Sequence, residues 1–195
     1  MIIKTFRLRA KNIAAAVVLT IVAAAAVKAA PPAAKAVFSI ASGEKRLLPI
    51  YSVETEEPKI AISFDAAWGA DDTDTLLEIL EDNDVKTTFF MCGYWIDKYP
   101  DEVKKIAEAG HDLGNHSATH PHMSKLTKEQ IADEIKDTGN KIEELTGVKS
   151  ELFRAPFGEY TNDVISAAEE LGYYTIQWDV EGLDTKLKTT FSNQL

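Results

Sequence analysis

The chain has 195 residues, of which 45% are hydrophobic and 27% are charged, a composition typical of a globular protein and not of a disordered or collagen-like chain. The net charge is −10, but residues 31–195 contain 16 basic and 31 acidic residues and so carry −15. A body this acidic repels phosphate backbones, which argues against nucleic-acid binding. Cys92 is the only cysteine, so the chain forms neither an intrachain disulfide nor a cysteine-based metal cluster.

The first thirty residues have the pattern of an export signal. Basic residues between Lys4 and Lys11 precede an uncharged apolar run from Ile13 to Val27. Because this run is shorter than the roughly 20 residues that span a bilayer comfortably, residues 1–30 are predicted to be either a cleaved signal peptide or an uncleaved N-terminal membrane anchor. In both cases we expect the rest of the chain to be exported from the cytoplasm.

A linker and an edge strand are predicted next. Residues 31–46 begin with Pro31 and Pro32, and paired prolines block a helix, so this segment is assigned as a linker before a domain at residues 47–195. The stretch from Leu47 to Val53 is strand-like, and Pro49 within it suits a position at the edge of a sheet.

From Lys59 onward the chain repeats a short apolar run, a turn, an amphipathic helix and, in most cycles, a glycine. The five runs are at residues 59–64, 85–91, 111–114, 150–153 and 173–178, and the helices are near residues 73–83, 100–109, 127–146 and 162–171. Strands that alternate with helices at this spacing predict βαβ units and a parallel sheet, which is either closed into a barrel or open.

All four histidines lie between His111 and His122. His116 and His120 could supply two neutral imidazoles to a metal such as zinc, although a histidine-rich surface loop would show the same spacing. The helical metalloprotease motif is absent because no glutamate follows His116.

A chemically reactive side chain follows or ends each predicted strand. These residues are Asp65, Cys92, His116, Arg154, and the pair Asp179 and Asp184. The carboxyl ends of parallel strands form the active face of α/β folds, so we expect these groups to converge. In this arrangement Asp65 would be a general base, unless it only caps a turn, Arg154 would pair with a carboxylate, and Cys92 would be a small packed residue.

Four segments in this order resemble the polysaccharide deacetylase (NodB-homology) family. They are Ser-Phe-Asp-Ala-Ala-Trp from Ser63, His-Ser-Ala-Thr-His from His116, Arg-Ala-Pro-Phe from Arg154 and Trp-Asp-Val-Glu-Gly-Leu-Asp from Trp178. The resemblance runs from about Leu48 to Asp184 and is greatest to the sporulation-associated branch. It implies an α/β fold, a distorted (β/α) barrel, that removes acetyl groups from N-acetylated sugars of peptidoglycan or a chitin-like polymer at the cell wall, using a divalent metal, usually zinc.

The same resemblance implies roles for individual residues. Asp65 matches the catalytic base, His116 and His120 match the metal ligands, and Arg154 matches the arginine that orients the base. Pro156 and Phe157 match the wall of the substrate groove, where the Phe157 N–H would meet the oxyanion, and Trp178 is placed with these substrate-facing residues. Asp184 matches the acidic residue that tunes the family's catalytic histidine.

Three departures from the family pattern are visible. Ala66 stands where the family has a second, metal-binding aspartate, so the site would have two histidines and waters, with a neighbouring carboxylate such as Asp71 or Asp72 as an optional further ligand, and would bind metal more weakly. Thr185 replaces a tryptophan, and no histidine follows His122, so the domain is expected to be incomplete at its C-terminus. These departures leave open a second hypothesis, a catalytically impaired glycan-binding or structural cell-wall protein of the same fold.

Overall fold

The structure is a computed structural model that describes residues 45–180. The predicted signal or anchor segment, most of the linker, and Asp184 lie outside the described residues, and the proposed domain boundaries stay predictions. All features discussed below belong to the compact unit that begins at Leu47.

The centre of this unit is a parallel five-stranded sheet whose strand order follows the sequence. The strands are β1 (Ser63–Ala66), β2 (Thr88–Met91), β3 (Asp112–Asn115), β4 (Leu152–Phe153) and β5 (Tyr174–Thr175). Beyond β5, Ile50 forms a single parallel bridge with Ile176. The parallel α/β architecture predicted from the alternating pattern is therefore confirmed, and the segment around Ile50 lies at an edge as expected.

Five α-helices connect the strands. They are α1 (Thr73–Asp82), α2 (Gly93–Lys98), α3 (Pro100–Glu108), α4 (Lys128–Thr146) and α5 (Asn162–Glu170), and two short 3-10 turns are at Met123–Lys125 and Pro156–Gly158. The start of α4 has the predicted capping box, in which the Thr127 hydroxyl accepts from the Gln130 N–H. Its end is Gly147, whose φ of 72° is a conformation that glycine adopts without strain. No helix within residues 45–180 has the length and apolar character needed to cross a membrane.

Two predictions about these elements were wrong. The six-residue helix α2 was not predicted, because it begins directly after β2 and is too short to show a helical repeat. Four of the five strands are also shorter than their apolar runs, and β3 has the predicted length but begins one residue later. Pairing between β1 and β2 covers only residues 63–66 of β1, so Ile60, predicted to be in the strand, is 87% exposed.

Two clusters of buried side chains pack beside the sheet. The first contains Trp95, Val103, Ile106 and Ile142, and the second contains Ile131, Ile135, Phe153 and Val164. Because α4 contributes to both clusters, this helix joins the two halves of the core.

We expect Ile142→Ala to lower the free energy of unfolding by about 2–5 kcal/mol, because Ile142 is fully buried and its truncation leaves a cavity. Ile79→Ala on α1 is the matched control, since Ile79 is 53% exposed and its loss should change stability by less than about 0.5 kcal/mol. Urea unfolding followed by circular dichroism measures both values. Equal effects of the two substitutions would contradict this description of the core.

Candidate functional site

The register of the sheet brings distant residues together. One row of paired residues crosses all five strands, at Ala66, Met91, Asn115, Phe153 and Thr175. The residue directly after each of β2, β3 and β4 continues the pattern of backbone hydrogen bonds. The Cys92 N–H donates to the carbonyl of Ala66, the His116 N–H to that of Met91, and the Arg154 N–H to that of Asn115. The predicted convergence at the carboxyl edge is therefore what the structure shows for Cys92, His116 and Arg154.

Arg154 connects β4 to β1 across the sheet. Its Nη1 donates to Asp65 Oδ1 at 2.7 Å and its Nη2 donates to the Ser63 hydroxyl at 2.8 Å. The guanidinium carbon lies 4.0 Å from the centre of the Phe90 ring, an arrangement that favours a cation. Gly114 makes room for that ring, since a Cβ there would overlap it. The arginine therefore fixes the orientation of the Asp65 carboxylate, as the sequence predicted.

His116 is buried and its tautomer follows from its hydrogen bond. The Nδ1 atom lies 2.7 Å from the Arg154 carbonyl oxygen, which can only accept, so Nδ1 carries the proton. Burial is the main cause of a pKa below the ordinary value, which keeps the ring neutral. The unprotonated Nε2 consequently faces Asp65, whose Oδ2 lies 3.7 Å away.

The loop after β3 places His120 beside His116. Ser117 and His120 have positive φ angles of 68° and 55°, which residues other than glycine rarely adopt. The resulting turns bring the His116 and His120 rings to a centroid distance of 5.1 Å. Burial also lowers the pKa of His120, so a second neutral imidazole is available.

These histidines belong to the one group of potential ligands found within residues 45–180, together with Cys92. Their donor atoms all lie within 4.8 Å of one another. Two neutral imidazoles suit a divalent cation. The Cys92 thiol does not, because burial raises its pKa to about 12 and its Sγ donates to the His116 carbonyl. Asp71 and Asp72, the carboxylates suggested by sequence, lie outside this group.

Glu134 of α4, which the sequence did not single out, holds the histidine loop. Its carboxylate accepts from the backbone N–H groups of Ala118 and Thr119, at 2.9 and 2.8 Å, and from the Thr119 hydroxyl at 2.8 Å. From the other side, the N–H groups of Gly93 and Tyr94 bond the carbonyls of residues 117 and 118. The loop between the two candidate ligands is therefore clamped between α4 and α2.

Aromatic rings line the site near His120. Phe157, at φ 58° in its turn, has its ring 4.6 Å from that of His120 and stacked at 4.4 Å on that of His122. The Trp178 ring lies 5.6 Å from the Arg154 guanidinium carbon. Pro156 is buried in the same turn. The predicted substrate-facing residues Pro156, Phe157 and Trp178 are thus near the histidines or Arg154, and the proposed role of the Phe157 N–H stays a prediction.

His116→Ala and His120→Ala should each weaken zinc binding by at least about 100-fold, since loss of an outer-sphere partner alone costs 10–100-fold. His122→Ala is the control, because its Nδ1 pairs with Glu159 at 3.0 Å and it is not in the ligand group. Competition with a chelating dye measures the three affinities. Similar losses in all three variants would show that the ligand pair is wrongly assigned.

Glu134→Ala should weaken zinc binding by about 10-fold or more, because the histidine loop loses three hydrogen bonds. Glu134→Gln, which keeps one acceptor oxygen, should have an intermediate affinity, and Glu144→Ala, an exposed site on the same helix, should match wild type. Titrations are made well below each variant's melting temperature, so that unfolding does not contribute. A zinc affinity of Glu134→Ala equal to that of the wild type would show that these hydrogen bonds do not position the candidate ligands.

Comparison with known proteins gives a consistent result. Residues 52–176 match the polysaccharide deacetylase family. An uncharacterized protein, YlxY, of Bacillus subtilis strain 168 is 39% identical over 136 residues, which are 70% of this chain and 43% of the relative. The peptidoglycan-N-acetylmuramic acid deacetylase PdaA of the same organism is 32% identical over 138 residues, 70% of this chain and 52% of that protein. The chain thus spans about half the length of these curated relatives.

Solved structures agree on the fold. BA3943 from Bacillus anthracis, described as a CE4 family pseudoenzyme, is 34% identical with a TM-score of 0.69, over 71% of this chain and 50% of that one. A mutant of BA3943 described as having restored enzymatic activity has the same TM-score and 36% identity, over 71% and 51%. These matches confirm the predicted fold class, a distorted (β/α) barrel type. Because the family match covers residues 52–176, and because the matching residues meet around Asp65, the chain belongs to the polysaccharide deacetylase family.

Proposed function

We propose that this protein is a metal-dependent hydrolase that removes N-acetyl groups from the sugars of a cell-wall polysaccharide. The observation that carries the proposal is the arrangement of Asp65, held by Arg154, beside the Nε2 atom of a neutral His116. A carboxylate that is positioned but partly exposed, at 35% of its side-chain surface, can reach a water molecule in the groove.

The described residues divide the chemistry among them. Asp65 Oδ2, to which Arg154 does not bond, takes the proton of the water that attacks the acetamide carbon. The C–N bond then breaks as a proton passes to the sugar nitrogen, which leaves acetate and the free amino sugar. His116 and His120 would hold a divalent cation, and zinc is the proposed ion because it binds imidazole nitrogens well. Such a cation would act as a Lewis acid toward the water and the amide oxygen. The N–H of Phe157 is the proposed donor to the oxyanion. Arg154 acts through Asp65 and is a positioning residue.

Peptidoglycan is the proposed polymer, with chitin-like chains as an alternative that carries the same acetamido group. The proposal is supported by PdaA, which is named as a peptidoglycan-N-acetylmuramic acid deacetylase. We further propose that the protein acts outside the cytoplasm, secreted or anchored in the membrane, on the basis of the charged and apolar segments before residue 31. A role in sporulation stays a prediction from the resemblance.

A second candidate function is glycan binding without catalysis. It is favoured by Ala66, which places a methyl group where the family has a metal-binding carboxylate, and by the similarity to BA3943, which is described as a pseudoenzyme. Both candidates predict that the groove binds acetylated glycans, but only the first predicts release of acetate.

Full-length protein with added zinc should release acetate from chitopentaose, and Asp65→Asn should lower the rate by at least about 100-fold, because loss of a general base typically costs 100- to 10,000-fold. Enzymatic determination of acetate measures both rates. Ser124→Ala is a control outside the Asp65 and Arg154 pair, since its hydroxyl bonds Glu159. Acetate release that is equal in wild type and Asp65→Asn would reject the proposed base.

Acetate release by the wild type separates the two candidate functions, and Ala66→Asp, which restores the missing carboxylate, is the comparison variant. If the protein is a weakly active enzyme, this substitution should raise both zinc affinity and the rate of acetate release. Chitopentaose binding without any acetate from the wild type would instead establish the glycan-binding function.

A further inference from the structure

Trp68 is a large aromatic residue that is exposed to solvent beside a candidate metal ligand. It follows β1 by two residues, and 76% of its surface is accessible to solvent. A large exposed aromatic group is informative because most tryptophan side chains in folded proteins bury much of their surface. The ring is adjacent to the site, since its centroid lies 6.0 Å from that of His120.

The backbone on both sides of Trp68 is fixed by two aromatic residues of α2. The Tyr94 hydroxyl donates to the carbonyl of Ala67 at 2.6 Å, and the indole N–H of Trp95 donates to the carbonyl of Gly69 at 2.9 Å. Ala67 itself is 3% exposed and packs in the first core cluster. Because both neighbours are anchored, the Trp68 backbone is held beside the site, so binding a ligand there needs little ordering of the backbone.

The His120 imidazole touches a second exposed aromatic ring. The Phe157 ring lies 4.6 Å from it and is 55% exposed. Two exposed aromatic surfaces therefore border one candidate metal ligand, whose ring in turn lies beside that of His116, the neighbour of Asp65. The apolar surface consists of separate rings, and Asp71 and Asp72 follow Trp68 in the loop between β1 and α1. Separate flat rings bordered by polar groups suit a sugar, whose ring has an apolar C–H face edged by hydroxyls, better than the continuous apolar face of a protein partner.

We propose that Trp68 is a substrate-binding residue that stacks on an N-acetylhexosamine ring next to the sugar whose acetamide reaches Asp65. This inference rests on the proposed function and adds to it a second sugar-binding position, so the protein should prefer oligomers to single sugars. No bond is made or broken at Trp68, and its contribution is to substrate affinity.

The test compares wild type, Trp68→Ala and Trp68→Phe as full-length, zinc-loaded proteins, with N-acetylglucosamine oligomers of one to five sugars. Trp68→Ala should raise KM for the pentamer by about 10-fold, the range of a lost aromatic stacking contact, with kcat within about twofold of wild type. Trp68→Phe should recover most of the affinity. Tyr174→Ala, which removes a 62% exposed ring from β5, should leave both constants unchanged.

Calorimetric binding of the pentamer to the same variants separates failure of this inference from failure of the proposed function. If wild type binds the pentamer but releases no acetate, the enzyme proposal fails, and a weaker Kd in Trp68→Ala still supports the sugar contact. If Trp68→Ala binds and turns over the pentamer like wild type, the inference is overturned while the enzyme proposal stands. Absence of any binding or acetate release by wild type overturns both.

Discussion

Arg154 supports the two halves of the site through different atoms. Its guanidinium holds Asp65, and its backbone carbonyl accepts the Nδ1 proton of His116 and so leaves Nε2 free for a ligand. The hydrogen bond between the Arg154 guanidinium and the Asp65 carboxylate is charge-assisted, and such bonds are short and directional, so it fixes the position of the carboxylate as well as balancing its charge. The orientation of the proposed base and that of a proposed metal ligand therefore depend on the same residue, which directly follows β4.

This dependence requires that the arginine itself cannot move. Arg154 is 5% exposed, and its guanidinium lies against the ring of Phe90 on β2. Removing a guanidinium from water is costly unless it is paired, and Asp65 provides the pairing charge. The arginine of this pair is thus buried, whereas 35% of the Asp65 side chain is exposed to solvent.

The parts of the site that the sequence predicted are those governed by a general rule of parallel sheets. Asp65, His116 and Arg154 could be grouped because each lies within two residues of the end of a predicted strand, and such ends share one edge. The packed role of Cys92 was also predicted, and the effect of burial on its pKa agrees with it.

The remaining features depend on tertiary contacts that leave no local pattern. The interaction of Glu134 with the loop at residues 118–119 depends on where α4 packs, and an exposed-looking glutamate on a long helix gives no sign of it. The positive φ of Ser117 and His120 has no marker, since neither is glycine. The helix α2, whose Tyr94 and Trp95 fix the loop at Trp68, is too short for periodicity to detect.

The position of the proposed base depends on the register of β1 against β2. Side chains on a strand alternate between its two faces, and Ser63 and Asp65 both reach Arg154 because they are two residues apart. A slip of one residue in the pairing of Asp65 with Phe90 would turn the aspartate to the opposite face with no change in sequence. The chemistry proposed for this carboxylate therefore requires one particular strand alignment as well as the residue itself.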